Sequence, residues 1–254
     1  MGVNPKLLRR SRLFADLPPV DVNAIADMAS MRWFDRGEYL YRQGAVAEYF
    51  YVVFDGAVKV SRVTPGGKAI VIDFRGAGQV VGGSSLVGDE QHADDARAVE
   101  DVLVATIPLP PAAALLGSRP GAALSLARHL ATRLTASQAR LAAMSTQRVH
   151  QRLGAALLEL SRSLGAAVDD VTVINARVTQ AELADWIGTT RETASTLLNG
   201  LRRAGLIDIE ARRIQLRDLP ALEAYALAVE LPADLSDLVI SRSHDEPPAL
   251  ARSA

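Results

Sequence analysis

The sequence contains no cysteine. That absence excludes disulfides, and with them any iron–sulfur cluster or haem thiolate held by cysteine. Basic charge is not in excess either, since 28 Lys and Arg stand against 29 Asp and Glu for a formal net charge of −1. A generally basic nucleic-acid coat is therefore excluded, and any DNA binding has to come from a local basic surface and from shape. No apolar run is long enough to span a bilayer, and the N-terminus carries no signal-peptide pattern. The expectation is a cytoplasmic protein with no membrane partner. Also missing are a phosphate-binding Gly-rich loop with Lys, an HExxH pair and a nucleophile elbow, which argues against an enzyme. What remains is globular: 254 residues, 49% hydrophobic and 22% charged, enough for one large or two ordinary domains.

The densest pattern is Val178–Leu206. Thr179 is followed three positions later by Glu182, the spacing of a capping box. Leu183, Ala184, Trp186 and Ile187 give an apolar helix face, and Gly188 can end the helix in a left-handed conformation. Thr189 and Glu192 offer a second capping box before Ala194, Leu197, Leu198 and Leu201 resume helical spacing. Two short helices around such a turn form a helix-turn-helix, whose second helix meets base edges with its N-terminal residues. Those residues are Arg191, Glu192, Ser195 and Thr196. Arg can donate twice to guanine, and Glu can accept from the cytosine amino group. The competing readings are that Glu192 only caps its own helix and Arg191 is only a solvated charge. Leu206–Ile209 and Ile214–Leu216 suggest two strands of a wing around Glu210–Arg213. Arg202, Arg203, Arg212 and Arg213 are candidates for phosphates, and Thr179, Gln180 and Thr190 complete the DNA-contact set.

Residues 33–106 read differently. Strand-forming runs occur at Glu38–Arg42, Tyr49–Phe54, Ala57–Val63, Ala69–Phe74 and Val102–Ile107, with glycines between them. Short strands with regular turn signals predict a sandwich or barrel. Phe54-Asp55-Gly56 and Pro65-Gly66-Gly67 read as hairpin turns. Gly2–Arg12 is basic and leads into Leu13-Phe14, read as a helix packed on the strands. Between the strands and the helix-turn-helix lies Pro120–Arg148, with Ser118 a candidate cap. Ala127, Leu130, Leu134, Ser137, Leu141 and Met144 follow alternating spacings of three and four, a coiled-coil seam. An amphipathic helix packed on its own domain has the same spacing.

Arg42-Gln43-Gly44, Tyr49–Gly56 with Val58, the Gly66-Gly67 turn, Gly78 and Gly82 resemble the β-roll of the Crp/Fnr family of bacterial transcription regulators. Arg191-Glu192-Thr193 is similar to that family's recognition helix, and the likeness runs from about Ser11 to Leu222 in the family's order of elements. The resemblance implies an α+β chain: an N-terminal antiparallel, jelly-roll-like β-roll sensor (11–117), a long dimerisation helix (118–147) and a winged helix-turn-helix (148–222). A tail at 231–254 is read as mobile, after a helix at Pro220–Glu230. It also implies a homodimer paired through Leu130, Leu134, Leu141 and Met144, a palindromic double-stranded DNA partner, and RNA polymerase. The rival function is a ligand-binding module whose helix-turn-helix contacts protein.

The effector cassette departs from the family. Where cyclic-nucleotide-binding members carry a glutamate for the ribose, this chain has Gly83 after Gly82. Their phosphate-binding arginine falls on Ala93, and the next residue is Asp94. Two unit charges about 4 Å apart interact by about 4 kcal/mol at an effective dielectric of ~20, so Asp94 opposes a cyclic phosphate. Cyclic AMP is therefore not expected, no metal or cofactor is expected, and a different small effector stays open. The candidate pocket is Gly82, Gly83, Ser84 and Ser85 with Asp94, Arg97, Ser137 and Gln138. Arg97 aligns with a structural arginine of the family. A cassette that binds nothing is the competing reading, and a haem ligand from His92, His129 or His150 is a remote one.

Overall fold

The computed structural model describes residues 2–88, 90–169 and 171–230. The expected tail at 231–254 lies outside the described residues. Two helices open the chain, α1 (Pro5–Leu8) and α2 (Pro19–Met28), each with proline in its first turn. Leu13 and Phe14 lie between them in hydrogen-bonded turns, not in the helix expected there. Pro18-Pro19 follows closely and disfavours helix just before it. Both side chains are nonetheless fully buried, and Phe14 meets Phe50 at 6.5 Å.

Eight strands then form the roll: β1 (Ser30–Phe34), β2 (Tyr39–Tyr41), β3 (Tyr49–Asp55), β4 (Val58–Val63), β5 (Ala69–Arg75), β6 (Val80–Val81), β7 (Asp95–Ala98) and β8 (Val102–Pro108). They make two four-stranded antiparallel sheets, ordered β1-β8-β3-β6 and β2-β7-β4-β5. Phe34, Tyr51, Val53, Val58, Ala96 and Val104 fill the space between them. The outer face of the first sheet, with Phe50, Val52 and Ile107, is covered by α2 and by α3 (Leu109–Ser118). Pro65-Gly66-Gly67 makes the expected hairpin, with Gly67 at φ +79° between β4 and β5. Phe54-Asp55-Gly56 does not. Strands β3 and β4 lie in opposite sheets, so this turn is a corner of the sandwich. Gly56 makes it possible, because at φ +79° an added Cβ would sit 2.2 Å from the Asp101 carbonyl oxygen.

The long helix α4 spans Pro120–Thr146. Ser118 does not cap it. It closes α3, donating to the Leu115 carbonyl at 3.0 Å, and Arg119 holds the cap position. Gln147 and Arg148 are extended and end α4 short of the expected Arg148, so they act as a joint before α5 (Val149–Leu164). The C-terminal part adds β9 (Gly165–Val168), β10 (Val171–Ile174), α6 (Gln180–Ile187), α7 (Arg191–Arg203), β11 (Ile207–Glu210), β12 (Arg213–Leu216) and α8 (Leu219–Leu227). Strands β11 and β12 are the expected wing, extended by β10 and β9 into a four-stranded sheet. Helix α8 ends three residues before the expected Glu230. One core joins this part to the roll, for Phe74 and Val71 of β5 pack with Leu157, Leu183 and Trp186.

Candidate DNA interface and sensor cassette

Helix α6 starts on the expected capping box. Thr179 Oγ1 accepts from the Glu182 amide at 3.2 Å, and Glu182 Oε2 accepts from the Thr179 amide at 3.0 Å. Gly188 ends it in the left-handed region at φ +66°. The second cap differs from expectation. Thr190, not Thr189, caps α7, accepting from the Thr193 amide at 3.2 Å, and the Glu192 side chain takes no part. The shift by one residue frees the Glu192 carboxylate and places Arg191 first in the helix.

Ala194, Leu197, Leu198 and Leu201 bury one face of α7. On its other side Arg191 and Glu192 are exposed, without a protein partner among the described residues. Ser195 and Thr196 are half-buried one turn on, with Thr196 Oγ1 donating to the Glu192 carbonyl at 2.9 Å. Arg202 is paired with Asp208 at 3.1 Å, and Arg203 donates to the Asn199 carbonyl at 3.4 Å. Arg213 donates to Asn175 at 3.3 Å. Arg212 is at the wing tip, where Ala211 and Arg212 both have positive φ, +49° and +64°, as a two-residue hairpin turn of this kind demands. Thr179, Gln180 and Arg212 share a groove of about 240 Å³ with Arg36 of the roll. Thus the N-terminus of α7 and the tip of the wing project from one domain, while several of the named arginines hold that domain together.

The roll grips the helix-turn-helix domain from the side. Lys59 Nζ lies 2.6 Å from Glu182 Oε1, and both side chains are mostly buried. Trp186 stacks edge-on against Phe74 at 5.2 Å, with the Arg140 guanidinium 5.2 Å from its ring centre. Burial pushes the Glu182 carboxyl up, but hydrogen bonds from Lys59 and Thr179 outweigh it and hold the group below the usual range. A group depressed in the folded state stabilises it above the unfolded pKa, and that contribution is lost as pH falls through the folded value. Lys59→Ala should therefore cost about 1.5–3 kcal/mol at neutral pH, and less once Glu182 is protonated. Urea unfolding at pH 7 and pH 3 measures the difference. An equal cost at both would show that the Lys59 stem, not its charge, matters.

The cassette residues do not form one cluster. Gly82 is left-handed at φ +76°, with His92 and Tyr41 packed on it, and Gly83–Val87 is a 3-10 turn. Ser84 is exposed and Ser85 buried, its hydroxyl without a partner among the described residues. Asp94 accepts from the Tyr41 hydroxyl at 2.9 Å, and burial pushes its carboxyl up. Arg97 is turned away, donating to the Gly37 carbonyl at 2.8 Å. Gln138 is exposed on α4, and Ser137 borders a separate cavity. Of the three histidines considered as ligands, His92 stacks on Tyr41 at 3.6 Å, His150 bonds the Ala228 carbonyl at 3.0 Å, and His129 faces the separate cavity.

That cavity, of about 710 Å³, is the feature sequence reading missed. Its inner wall is Asp73 and Arg75 of β5, opposite Arg133 and Arg140 of α4 and Glu159 of α5. A trace was present: period two puts both charges of Ile72-Asp73-Phe74-Arg75 on one face of an otherwise apolar strand. On α4 itself, Leu130 is half-buried, and Leu134, Leu141 and Met144 are 59%, 69% and 45% exposed.

Residues 31–119 match the family model of the cyclic nucleotide-binding domain, and residues 151–225 that of the Crp-like helix-turn-helix domain. The transcriptional regulatory protein btr of Bordetella pertussis is 31% identical over 189 residues, covering 74% of this chain and 78% of the relative. The cyclic AMP receptor protein of Thermus thermophilus is 28% identical over 223 residues, 87% of this chain and 100% of the relative. The crystal structure of a CRP/FNR-family transcriptional regulator, also from Thermus thermophilus, superposes with a TM-score of 0.64 at 29% identity, covering 79% of this chain and 100% of that one.

Proposed function

We propose a function from one premise: this chain belongs to the CRP/FNR family of transcription regulators. It is a regulator whose helix-turn-helix is a DNA-binding domain, and the reading in which that motif contacts protein is not favoured. The finer proposal is a homodimer paired along α4, which sets two copies of α7 into a palindrome with half-sites about one helical turn apart, ~34 Å. The carrying observation is the N-terminus of α7, where Arg191 and Glu192 stand exposed beside each other and free of the cap. Arg191 reads a guanine and Glu192 a cytosine amino group, with Ser195 and Thr196 alongside. Thr179, Gln180, Thr190 and Arg212 would contact phosphates, and Arg202, Arg203 and Arg213 support the frame they already bond to. RNA polymerase is the protein partner such a regulator implies. The cytoplasm is the compartment where it acts, and among the described residues no helix is long and apolar enough to cross a membrane.

Selection of bound duplexes from a random pool tests the reading, and an inverted repeat is the expected product. Arg191→Ala should then cost about 1–3 kcal/mol on the selected site and flatten preference at one base. Equal loss on selected and random duplexes would reduce Arg191 to a phosphate contact.

The effector reading follows from the cassette. Gly83 offers no ribose acceptor, Ala93 no cation, and Asp94 is held by Tyr41. Each missing charge-assisted contact is worth about 1.5–3 kcal/mol. Cyclic AMP should give no binding heat at micromolar protein, and the operator should be bound without it. Micromolar binding with a gain in operator affinity would overturn this.

A further inference from the structure

The joint between α4 and α5 is two extended residues, Gln147 and Arg148. Each has two soft backbone dihedrals, so the joint alone leaves the angle between the helices loose. One side chain bridges it. Arg152, half-buried in the first turn of α5, directs all three nitrogens of its guanidinium at backbone carbonyls. Its Nη1 donates back to Gln147 at 2.7 Å, its Nε donates to Ile187 at 2.7 Å, and its Nη2 donates to Gly188 at 3.2 Å. The guanidinium is a rigid planar fork, so three such bonds fix a direction as well as a distance.

The carbonyls it takes belong to two helix ends. Gln147 holds the C-terminal cap position of α4, while Ile187 and Gly188 close α6 and lead into α7. At the end of α6 the Gly188 and Thr189 amides already take the Asp185 and Ala184 carbonyls, at 3.4 and 2.9 Å. Arg152 takes two carbonyls further on, where the partial negative charge of a helix C-terminus favours a cation. Met144, on the row proposed for pairing, reaches the same turn: a Cβ added at Gly188 would lie 3.8 Å from its terminal methyl. Helices α6 and α7 share a core through Leu183, Ile187, Leu197 and Leu198, so they move together. The flank of α6 is held at Glu182 by Lys59 and at Trp186 by Phe74 and Arg140. A body held along one flank can still swing about it. Arg152 grips the C-terminal end and removes that freedom.

We propose that Arg152 is a positioning residue for operator recognition. By tying the end of α4 to the turn before α7, it fixes the angle of α7 on α4 and so the half-site spacing that the dimer accepts. Pairing along α4 sets the two long helices against each other, and the separation of the two α7 helices then follows from that angle. One extra base pair between half-sites moves one of them by about 3.4 Å and turns it by about 34°. The consequence for spacing rests on the regulator reading above, whereas the lock itself is measured without DNA.

The chain has no cysteine, so two can be introduced for nitroxide labels: Gln138→Cys on α4 and Asn199→Cys on α7, both at exposed positions. Diluted into excess unlabelled protein, the pair reports the distance within one chain. Double electron–electron resonance should give a narrow distribution with Arg152 present, and one about twofold wider or more in Arg152→Gln. Arg152→Lys keeps the stem and the charge, so it folds where the glutamine variant fails to. A compact ammonium does not reproduce the fork, so this variant should broaden too, by less. On unlabelled protein, operators with half-sites moved by one base pair supply the second readout. The wild type should reject them at least about 10-fold, and Arg152→Gln should bind them within about 3-fold of the preferred spacing. A residue that served stability alone would lower Tm and leave both readouts unchanged. Narrow distributions in the variants overturn the proposal, as does a broad one with the wild-type spacing preference. Broadening in a protein that selects no inverted repeat would instead remove the regulator reading and leave the lock standing.

Discussion

Leu134→Asp should turn the protein into a monomer and lower operator affinity at least about 100-fold, since two linked half-sites gain at least that much over one. Leu134 is 59% exposed within the chain, and a single exposed leucine means little. Its neighbours give it weight. Leu141 and Met144 are also exposed, seven and ten residues on, the heptad spacing of a helix pair. In the proposed dimer two aspartates would face each other across the two-fold axis, in a strip from which water is excluded. Because Leu134 packs against little in its own chain, the variant should keep the wild-type circular dichroism. Sedimentation and operator titration provide the measurements. A wild type that sediments as a monomer where it binds its palindrome would end the proposal, and a Leu134→Asp dimer of normal affinity would move the seam elsewhere.

What could be read in advance depended on how local the cause was. The helix-turn-helix was legible because its determinants are neighbours in sequence: Thr179 with Glu182, the turn at Gly188, the apolar spacing of α7. Even there the second cap moved by one residue, since two adjacent threonines offer the same hydroxyl. The five strands rich in valine and aromatics were legible too. Strand β7 was not, because Asp95-Ala96-Arg97-Ala98 has little strand preference of its own. It is extended because β2 and β4 pair with it from both sides. Sheet membership was equally hidden. Gly56 signals a turn, but only the Asp101 backbone packed against it makes that turn a corner. The cassette showed what is missing at Gly83 and Ala93, not that Tyr41 takes Asp94. The polar cavity was least legible of all, since Asp73 meets Arg133 and Arg140 from sixty residues and more along the chain.

Trp186→Ala should cost about 3–5 kcal/mol, the range for emptying a large aromatic site. At roughly 2–4 °C per kcal/mol for a chain of this size, Tm should fall by about 6–20 °C. Trp186 is 3% exposed and stands where three parts of the molecule meet: α6, Phe74 of β5 and Arg140 of α4. An alanine would remove the ring on which Arg140 rests and leave Phe74 facing a void. Trp186→Phe separates volume from polarity. The indole N–H is buried without a partner among the described residues, and such a donor costs about 1–3 kcal/mol. Phenylalanine removes that donor along with part of the ring, so the losses offset and the net change should stay under about 1.5 kcal/mol. Fluorescence gives an independent check, because the chain has two tryptophans and the other, Trp33, is 60% exposed. The wild type should show a blue-shifted component that disappears in both variants, leaving the water-exposed emission of Trp33. A loss below about 1 kcal/mol in Trp186→Ala would mean that the helix-turn-helix is not anchored to the roll through this residue, and a loss in Trp186→Phe as large as in alanine would mean that the indole N–H is satisfied after all.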